Sequence, residues 1–337
     1  MELLWWLLPV VGVLSFGLTG GLLHYARAQR LLDMPNGRSS HTVPTPRGGG
    51  VAIVVCFLAA LPPLYLAGLL PWTFLWALLV AGAGVAAIGF LDDHAPVAIA
   101  WRLLVHGLCS LWMLVWLGGL PELDLFGLLV EPGMLGAALA LLFLVWLLNL
   151  YNFMDGLDGI AAIEAISVCL GGALLYWISG AWVHAAVPLL LASAVAGFLF
   201  WNWPPARIFM GDAGSGFLGM VLGGLLLQAA WISPELFWSW LILLGVFVVD
   251  ATWTLLHRML RGEKWHQAHR SHAYQTAARR FGGHLPVTLA VAAVNLFWLL
   301  PWALWVVAGG LSGGVGLLLA YMPLCWLAWA FRAGARE

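Results

Sequence analysis

Eleven stretches of this chain, each close to 20 residues long, carry at most one charged side chain apiece. A helix of that length crosses the ~30 Å hydrocarbon core of a bilayer. Inside that core every backbone N–H and C=O must find its partner within the chain, so only helices and closed barrels span it. A charged fraction of 9%, against about a quarter in soluble domains, excludes a water-soluble alternative. The chain therefore reads as an all-α, polytopic membrane protein, a single bundle over residues 1–337 with about eleven transmembrane helices.

The spans are expected near 1–24, 49–70, 72–91, 98–118, 134–151, 159–179, 184–203, 214–233, 236–257, 286–308 and 311–331. Glu2 stands ahead of the first run, with no basic segment and no small-residue cleavage site, so that run is expected to be a retained span and not a removed signal peptide. With the N-terminus outside, loops 25–48, 92–97, 152–158, 204–213 and 258–285 and the C-terminal tail fall on the cytoplasmic side. All 14 Lys and Arg residues lie in or beside those segments, whereas Glu122, Asp124, Glu131 and Glu235 lie opposite. That asymmetry is the positive-inside pattern, and a missed helix would scatter the arginines over both sides. Cys56, Cys109, Cys169 and Cys325 fall within spans at no metal-type spacing, so no disulfide framework is expected.

Carboxylates recur on the basic face. "NLYNFMDGLDGIAA" (149–162) brings Asn149, Asn152, Asp155 and Asp158 to the mouth of the fifth and sixth spans. Its Asp-Gly pairs favour a turn over an unbroken helix, and a short loop there can gather the four side chains. "GFLDDHAP" supplies Asp92 and Asp93, and "RIFMGDAGSG" supplies Asp212 and Ser215 at a helix start. Five carboxylates on one surface repel one another. A divalent cation relieves that conflict, and hard oxygen ligands of this kind suit Mg²⁺, which keeps waters and completes its shell from substrate phosphates.

The same face offers "GRSSHTVPTPRGGG", with Arg38, His41, Thr45 and Arg47 ahead of three glycines. Those glycines are expected to present free backbone N–H groups to phosphate at a helix N-terminus. The 258–285 loop adds "HRMLRGEKWHQAHRSH", with His266, His269, Arg270 and His272. Carboxylates, a cation, arginines and histidines together point to phosphoryl chemistry, where positioning and charge stabilisation dominate. Each feature has a plainer reading alone: Asp92 and Asp93 as a solvated helix cap, the Asp212 turn as a tight loop, the histidines as a basic loop, and His106 as a satisfied buried histidine. Glu164, inside the sixth span, has no partner that the sequence names.

In this order and on one face, "DMPNGRSSHTVPTPRGGGVAI", "LDDH", "NLYNFMDGLDGIA", "RIFMGDAGSGFLG" and "RGEKWHQAHRSH" resemble the polyprenyl-phosphate N-acetylhexosamine-1-phosphate transferases over essentially the whole chain. That family includes the bacterial enzymes that initiate O-antigen and enterobacterial common antigen, and the peptidoglycan translocase. "SHTVPTPRGGG" is more similar to the O-antigen-initiating branch. The resemblance implies that undecaprenyl phosphate attacks the β-phosphorus of a UDP-N-acetylhexosamine, releasing UMP, at the cytoplasmic face of a bacterial inner membrane. It implies Asp155 and Asp212 as Mg²⁺ ligands, with Mn²⁺ as an alternative ion. Asp92 and Asp93 would orient or deprotonate the lipid phosphate. Asn149, Asn152 and Asp158 would shape the nucleotide pocket, and His272 with Arg270 would contact the sugar or diphosphate. Arg38, His41, Thr45, Arg47, Arg207, Ser215 and His269 complete the expected substrate-binding set.

The resemblance departs at "HRSHAYQ", where Tyr274 and Gln275 stand in place of the later histidines of the family pattern and His269 stands at an acidic position. That departure bears on sugar choice and would fit a less common amino sugar, such as a 6-deoxy one. A phosphate monoester has a second pKa near ~6, so the nucleophile needs little help from a base. Direct in-line displacement is favoured, with an aspartyl-phosphate route as the alternative. The partners expected are the lipid bilayer, undecaprenyl phosphate and the nucleotide sugar, with no nucleic acid; a homodimer is left open. A transporter with a carboxylate-lined cation site is the reading from a different class, although such sites lie near the midplane of the bilayer.

Overall fold

The computed structural model describes residues 2–35, 40, 43–126, 128–263 and 269–335. Its helices are α1 (Glu2–Ala28), α2 (Val51–Leu66), α3 (Trp72–His94), α4 (Ile99–Leu117), α5 (Gly133–Met154), α6 (Ile160–Ile178), α7 (Ala186–Asn202) and α8 (Asp212–Ile232). They continue with α9 (Pro234–Leu243), α10 (Gly245–Leu260), α11 (Ala273–Phe281), α12 (His284–Val294), α13 (Leu300–Val307) and α14 (Gly313–Ala330). Every apolar run read from the sequence is occupied by helix. Among the described residues nine helical segments are long and apolar enough to cross a membrane, one of them α12, a π-helical turn (Asn295–Leu299) and α13 in continuous succession. The protein is a multi-pass membrane protein.

Two of the eleven runs differ from simple spans. The run expected at 49–70 forms only the 16-residue α2. The run expected at 236–257 is broken, with α9 and α10 meeting at 69°. A break inside the bundle frees backbone groups that need new partners. On one side the Leu241 carbonyl accepts the Tyr321 hydroxyl from α14 at 2.5 Å. Ser233 caps the far end of α9, its Oγ accepting the Leu236 N–H, with Pro234 at the first helical position.

The centre of the bundle is α8, whose residues from Ala213 to Ala230 are all buried. It packs against α2, α3, α5 and α9. Glycines make these approaches close, as small residues do between helices in lipid. An added Cβ at Gly50 would lie 2.5 Å from the Gly214 Cα and 2.8 Å from Met210 Cγ. Elsewhere hydroxyls join helices: Ser15 of α1 donates to the Ala194 carbonyl of α7 at 2.6 Å, and Ser193 of α7 to the Leu8 carbonyl of α1 at 2.5 Å.

In the glycine run at the start of α2, the N–H groups of Gly49 and Gly50 are not free. Gly49 and Gly50 donate to the carbonyls of Phe209 and Met210, both at 2.9 Å, and Phe209 donates to the Pro46 carbonyl at 2.8 Å. The expectation of a phosphate cradle there is therefore corrected: these glycines splice the 43–50 segment to the segment that enters α8. Two short antiparallel ribbons depart from a wholly helical chain. β1 (Leu32–Asp33) pairs with β2 (Thr45–Pro46), and β3 (Leu123–Leu125) pairs with β4 (Leu128–Val130) at the opposite end.

Gly50→Ala is expected to destabilise the detergent-purified protein by about 1–3 kcal/mol through overpacking, read as a lower melting temperature. Gly17→Ala, where an added Cβ meets nothing within 4 Å, should leave it unchanged or slightly raised. Equal melting temperatures for the two variants would refute the α2–α8 contact.

Candidate active site

One end of the bundle holds a cavity of about 260 Å³ lined by Asp33, Ser40, Arg47, Asp93, Asn152, Asp155, Asp158, Asn202, Asp212, Gln275 and His284, among others. Every one of the five loops that the sequence places on a single face contributes to this wall. The carboxylates arrive on helix ends. Asp155 follows the last residue of α5, Asp158 precedes α6, Asp93 is next to last in α3, and Asp212 is the first residue of α8.

Asp93 is 4% exposed and works as the cap of α8. Its Oδ1 accepts the Asp212 N–H at 3.1 Å and its Oδ2 accepts the Ala213 N–H at 3.2 Å. A carboxylate facing the N-terminal end of a helix dipole is held there favourably. Arg47 donates to the Asp93 backbone carbonyl. Asp92 points elsewhere: Arg102 Nη1 donates to it at 2.5 Å and the Val97 N–H at 2.7 Å. The same guanidinium reaches Asp212 through Nη2 at 3.1 Å, so Arg102 bridges the two aspartates.

Asp158 is tied down by the chain around it. Its Oδ2 accepts the Ala206 N–H at 3.1 Å, its Oδ1 lies 3.1 Å from His284 Nδ1, and its carbonyl accepts the Thr288 hydroxyl at 2.9 Å. His284 Nε2 approaches the Ser40 carbonyl at 3.1 Å. Asn202 completes this side: its Oδ1 accepts the Gly159 N–H and its Nδ2 donates to the Ile208 carbonyl, both at 2.9 Å. Asn152 accepts the Ser215 hydroxyl at 2.8 Å.

Asp155 is the exception. Among the described residues its carboxylate makes no hydrogen bond or ion pair. Enclosure by protein, then the neighbouring Asp212, Asp93 and Asp158, push its pKa well above the ordinary carboxylate range. The loop is braced from below by Tyr274, which donates to the Phe153 carbonyl at 2.9 Å. The Tyr274 hydroxyl lies 2.2 Å from where a Cβ on Gly156 would sit, so only glycine fits there.

The structure divides the expected site residues. Asp93, Asn152, Asp155, Asp158, Asp212 and Arg47 line the cavity, and Ser215 bonds to Asn152 behind it. Asn149 instead donates to the Val145 carbonyl on its own helix at 2.7 Å. Arg207 lies over the Phe200 and Trp201 rings, 5.8 and 5.6 Å from their centroids. Thr45 bonds locally to the Val43 carbonyl. His272 is buried beside Asp250, 3.2 Å from its Oδ1, and stacks on His269 at 4.9 Å. Asp250 also accepts the Ala273 and Tyr274 N–H groups, which fixes the start of α11. The Arg270 carbonyl accepts from Arg279. Arg38, His41 and His266 lie outside the described residues. His106 is buried, but its Nδ1 has no partner among the described residues.

Asp33, Ser40 and Gln275 lie inside quoted motifs without being expected site residues and also reach the cavity, whereas Asn202 and His284 reach it from outside any motif. For His284 a signal exists, since "GGHLP" places a lone histidine at the start of a span on the basic face. Among the described residues no group of three or more His, Cys, Asp or Glu side chains is placed to hold a metal ion by itself. The donor set on the wall fits Mg²⁺, which takes one or two carboxylates and leaves the rest to water and phosphate. Asp155, unpartnered among the described residues and hemmed in by negative charge, is the wall side chain that most favours a cation.

The glycosyl transferase family 4 profile matches residues 75–230, the stretch that contributes Asp92, Asp93, Asp155, Asp158 and Asp212. The chain is 30% identical over 260 residues to the phospho-N-acetylmuramoyl-pentapeptide-transferase of Synechococcus elongatus, covering 66% of this chain and 67% of the relative. The chain belongs to glycosyl transferase family 4. It is also 29% identical over 250 residues to a probable undecaprenyl-phosphate N-acetylglucosaminyl 1-phosphate transferase of Bacillus subtilis, covering 72% of this chain and 68% of the relative. With the decaprenyl-phosphate N-acetylglucosaminephosphotransferase of Mycobacterium tuberculosis it shares 31% identity over 242 residues, 65% of this chain and 58% of that protein's length. The relatives are polyprenyl-phosphate sugar-phosphate transferases, and this family member is an enzyme.

A carboxyl whose pKa is raised by folding adds stability below its unfolded value, near ~4, and that contribution is lost as pH rises through the folded value. With a chelator present, the melting temperature is therefore expected to fall with rising pH more steeply in the wild type than in Asp155→Asn. At pH 8 the variant should melt higher. Parallel pH profiles would show that Asp155 carries no such charge penalty.

Proposed function

We propose that this enzyme transfers N-acetylhexosamine 1-phosphate from a UDP-sugar to undecaprenyl phosphate, giving UMP and the lipid diphosphate sugar, in O-antigen or related envelope glycan synthesis. The observation that carries this reading is Asp155: a carboxylate without a partner among the described residues, facing Asp212, Asp93 and Asp158 across a cavity at the mouth of a membrane bundle. Such a site is poised for a cation and a diphosphate, and it adjoins the bilayer from which a lipid phosphate would come. The names of the relatives supply the substrate classes. The basic character of the loops around the cavity supports a cytoplasmic orientation in a bacterial inner membrane.

In this reading Asp155 and Asp212 would hold Mg²⁺, or Mn²⁺ in its place. When bound, the ion would neutralise charge on the donor diphosphate and polarise the phosphorus under attack. The chain's own groups do the rest. Arg102 holds Asp212 in place while pairing with Asp92, and Asp93 acts through the α8 N-terminus that it caps. Arg47, with its guanidinium on the cavity wall, adds positive charge for a phosphate. The lipid phosphate is largely dianionic at neutral pH. Its oxygen attacks the β-phosphorus directly, the bond to the UMP oxygen breaks, and UMP leaves with that electron pair. Asp158, fixed by His284 and the Ala206 N–H, and Asn152, fixed by Ser215, shape the donor side. Gln275 is the member of the unusual "HRSHAYQ" run that lines the cavity, and it is our candidate for reading the sugar.

Detergent-purified protein given undecaprenyl phosphate, Mg²⁺ and a panel of UDP-N-acetylhexosamines, including 6-deoxy sugars, should release UMP only when lipid and metal are both present. Asp155→Asn and Asp212→Asn should lower that rate by about 10²-fold or more. A burst of UMP without lipid would favour the aspartyl-phosphate route. Lipid-independent ion uptake into vesicles with no UMP release from any donor would favour a transporter instead.

Gln275→His is expected to change the ratio of kcat/KM between donors while leaving the metal requirement unchanged. An unaltered donor ratio would remove Gln275 from the sugar site.

A further inference from the structure

Away from the cavity, a second polar cluster lies where α6, the start of α10 and the π-helical turn after α12 come together. Glu164 of α6 is fully buried at 0% exposure, and Asn295, the first residue of the π turn, is 3% exposed. Asn295 Nδ2 donates to Glu164 Oε2 at 2.6 Å. The Phe247 N–H, in the first turn of α10 just past the 69° break, faces the same carboxyl. The two remaining oxygens, Glu164 Oε1 and Asn295 Oδ1, are both buried and have no hydrogen-bond partner among the described residues.

Both orphans are acceptors, and both belong to planar groups already joined by one bond. If Glu164 were ionised, two acceptors would remain unsatisfied in an apolar interior, where such groups are costly. One proton resolves both. Placed on Oε1, it is donated to Asn295 Oδ1 and closes a ring of two parallel hydrogen bonds. We propose that Glu164 is an uncharged carboxylic acid paired with the Asn295 amide through Oε1–H to Oδ1 and Nδ2–H to Oε2, and that this pair is a positioning device for the Asp155–Asp158 loop.

The connection runs along two helices. Asp158 lies at the head of α6 and is bonded to His284 and Thr288 of α12. Glu164 and Asn295 join the same two elements deeper in the bundle. The pair of helices is thus pinned at the mouth and again below it, so α6 cannot slide or rotate without breaking both ties. The Phe247 N–H extends the tie to α10, whose Asp250 holds the start of α11 and hence Tyr274 under Gly156. Single π turns within α-helices are frequent at functional sites, and here one begins at Asn295. Only the description of that loop as catalytic rests on the proposed transferase reaction.

The test combines infrared spectroscopy with three variants in detergent at pH 8. Glu164→Gln keeps two parallel hydrogen bonds with Asn295, so its melting temperature should match the wild type. Glu164→Ala and Asn295→Leu each strand a buried partner and should melt about 3 °C or more lower. The wild type minus Glu164→Gln difference spectrum should show a protonated carboxylic-acid C=O band. In the UMP-release assay Glu164→Ala should lose rate and Glu164→Gln should restore it. Absence of the acid band, or a Glu164→Gln protein as unstable as Glu164→Ala, would overturn the proposal. The spectrum and the melting temperatures do not depend on any donor sugar, so they decide the state of the Glu164–Asn295 pair even if no donor releases UMP.

Discussion

The site depends on the Asp93 carboxylate closing the N-terminus of α8. The first turn of that helix leaves N–H groups without intrahelical partners, and here two of them meet the two oxygens of one buried aspartate. The contact fixes α3 to α8, and α8 is the element around which the rest of the bundle packs. Asp212 is carried on the capped turn itself. Arg102 then locks Asp212 to Asp92, so three of the site's aspartates are positioned by one short run of hydrogen bonds. A pair that looks interchangeable in sequence is thereby given two different tasks.

Against that ordered half stands Asp155, on which the protein places no hydrogen-bonding partner among the described residues. Its loop is nevertheless held firmly: Tyr274 lies under Gly156, Asn202 takes the Gly159 N–H, and His284 with Ala206 fixes Asp158. A rigid loop that presents a charge-frustrated carboxylate is a design in which a ligand, and not the protein, supplies the missing positive charge. The fold tolerates the repulsion because the surrounding carboxylates are each satisfied by backbone N–H groups, arginine or histidine.

The broken span shows the same logic in the apolar interior. The bend between α9 and α10 exposes a carbonyl and an N–H that water cannot reach. Tyr321 takes the first, and the Glu164 carboxyl faces the second. Polar residues that interrupt apolar spans here are partners for irregular backbone, and through α6 and α12 that repair is linked to the loop at the mouth.

Much of this was legible from the chain alone. Apolar runs of about 20 residues require helices in a bilayer, and one-sided arginines put the motif-bearing loops on one face, because hydrocarbon admits neither unpaired backbone nor scattered charge. Asp155, Asp158, Asp212 and Arg47, named from their motifs on the basic face, do line the same cavity. Tertiary structure alone decided which side chains are engaged and by what. It turned the Gly48–Gly50 run from a phosphate cradle into a splice between segments 43–50 and 206–211, directed Asn149 back onto its own helix, set Arg207 over aromatic rings, and gave His272 to Asp250. It also brought His284, Asn202 and Gln275 to the cavity from distant parts of the chain. Hydropathy and charge act on each residue by itself and can be read in order; a hydrogen bond needs two groups in one place, and only the packed helices bring them there.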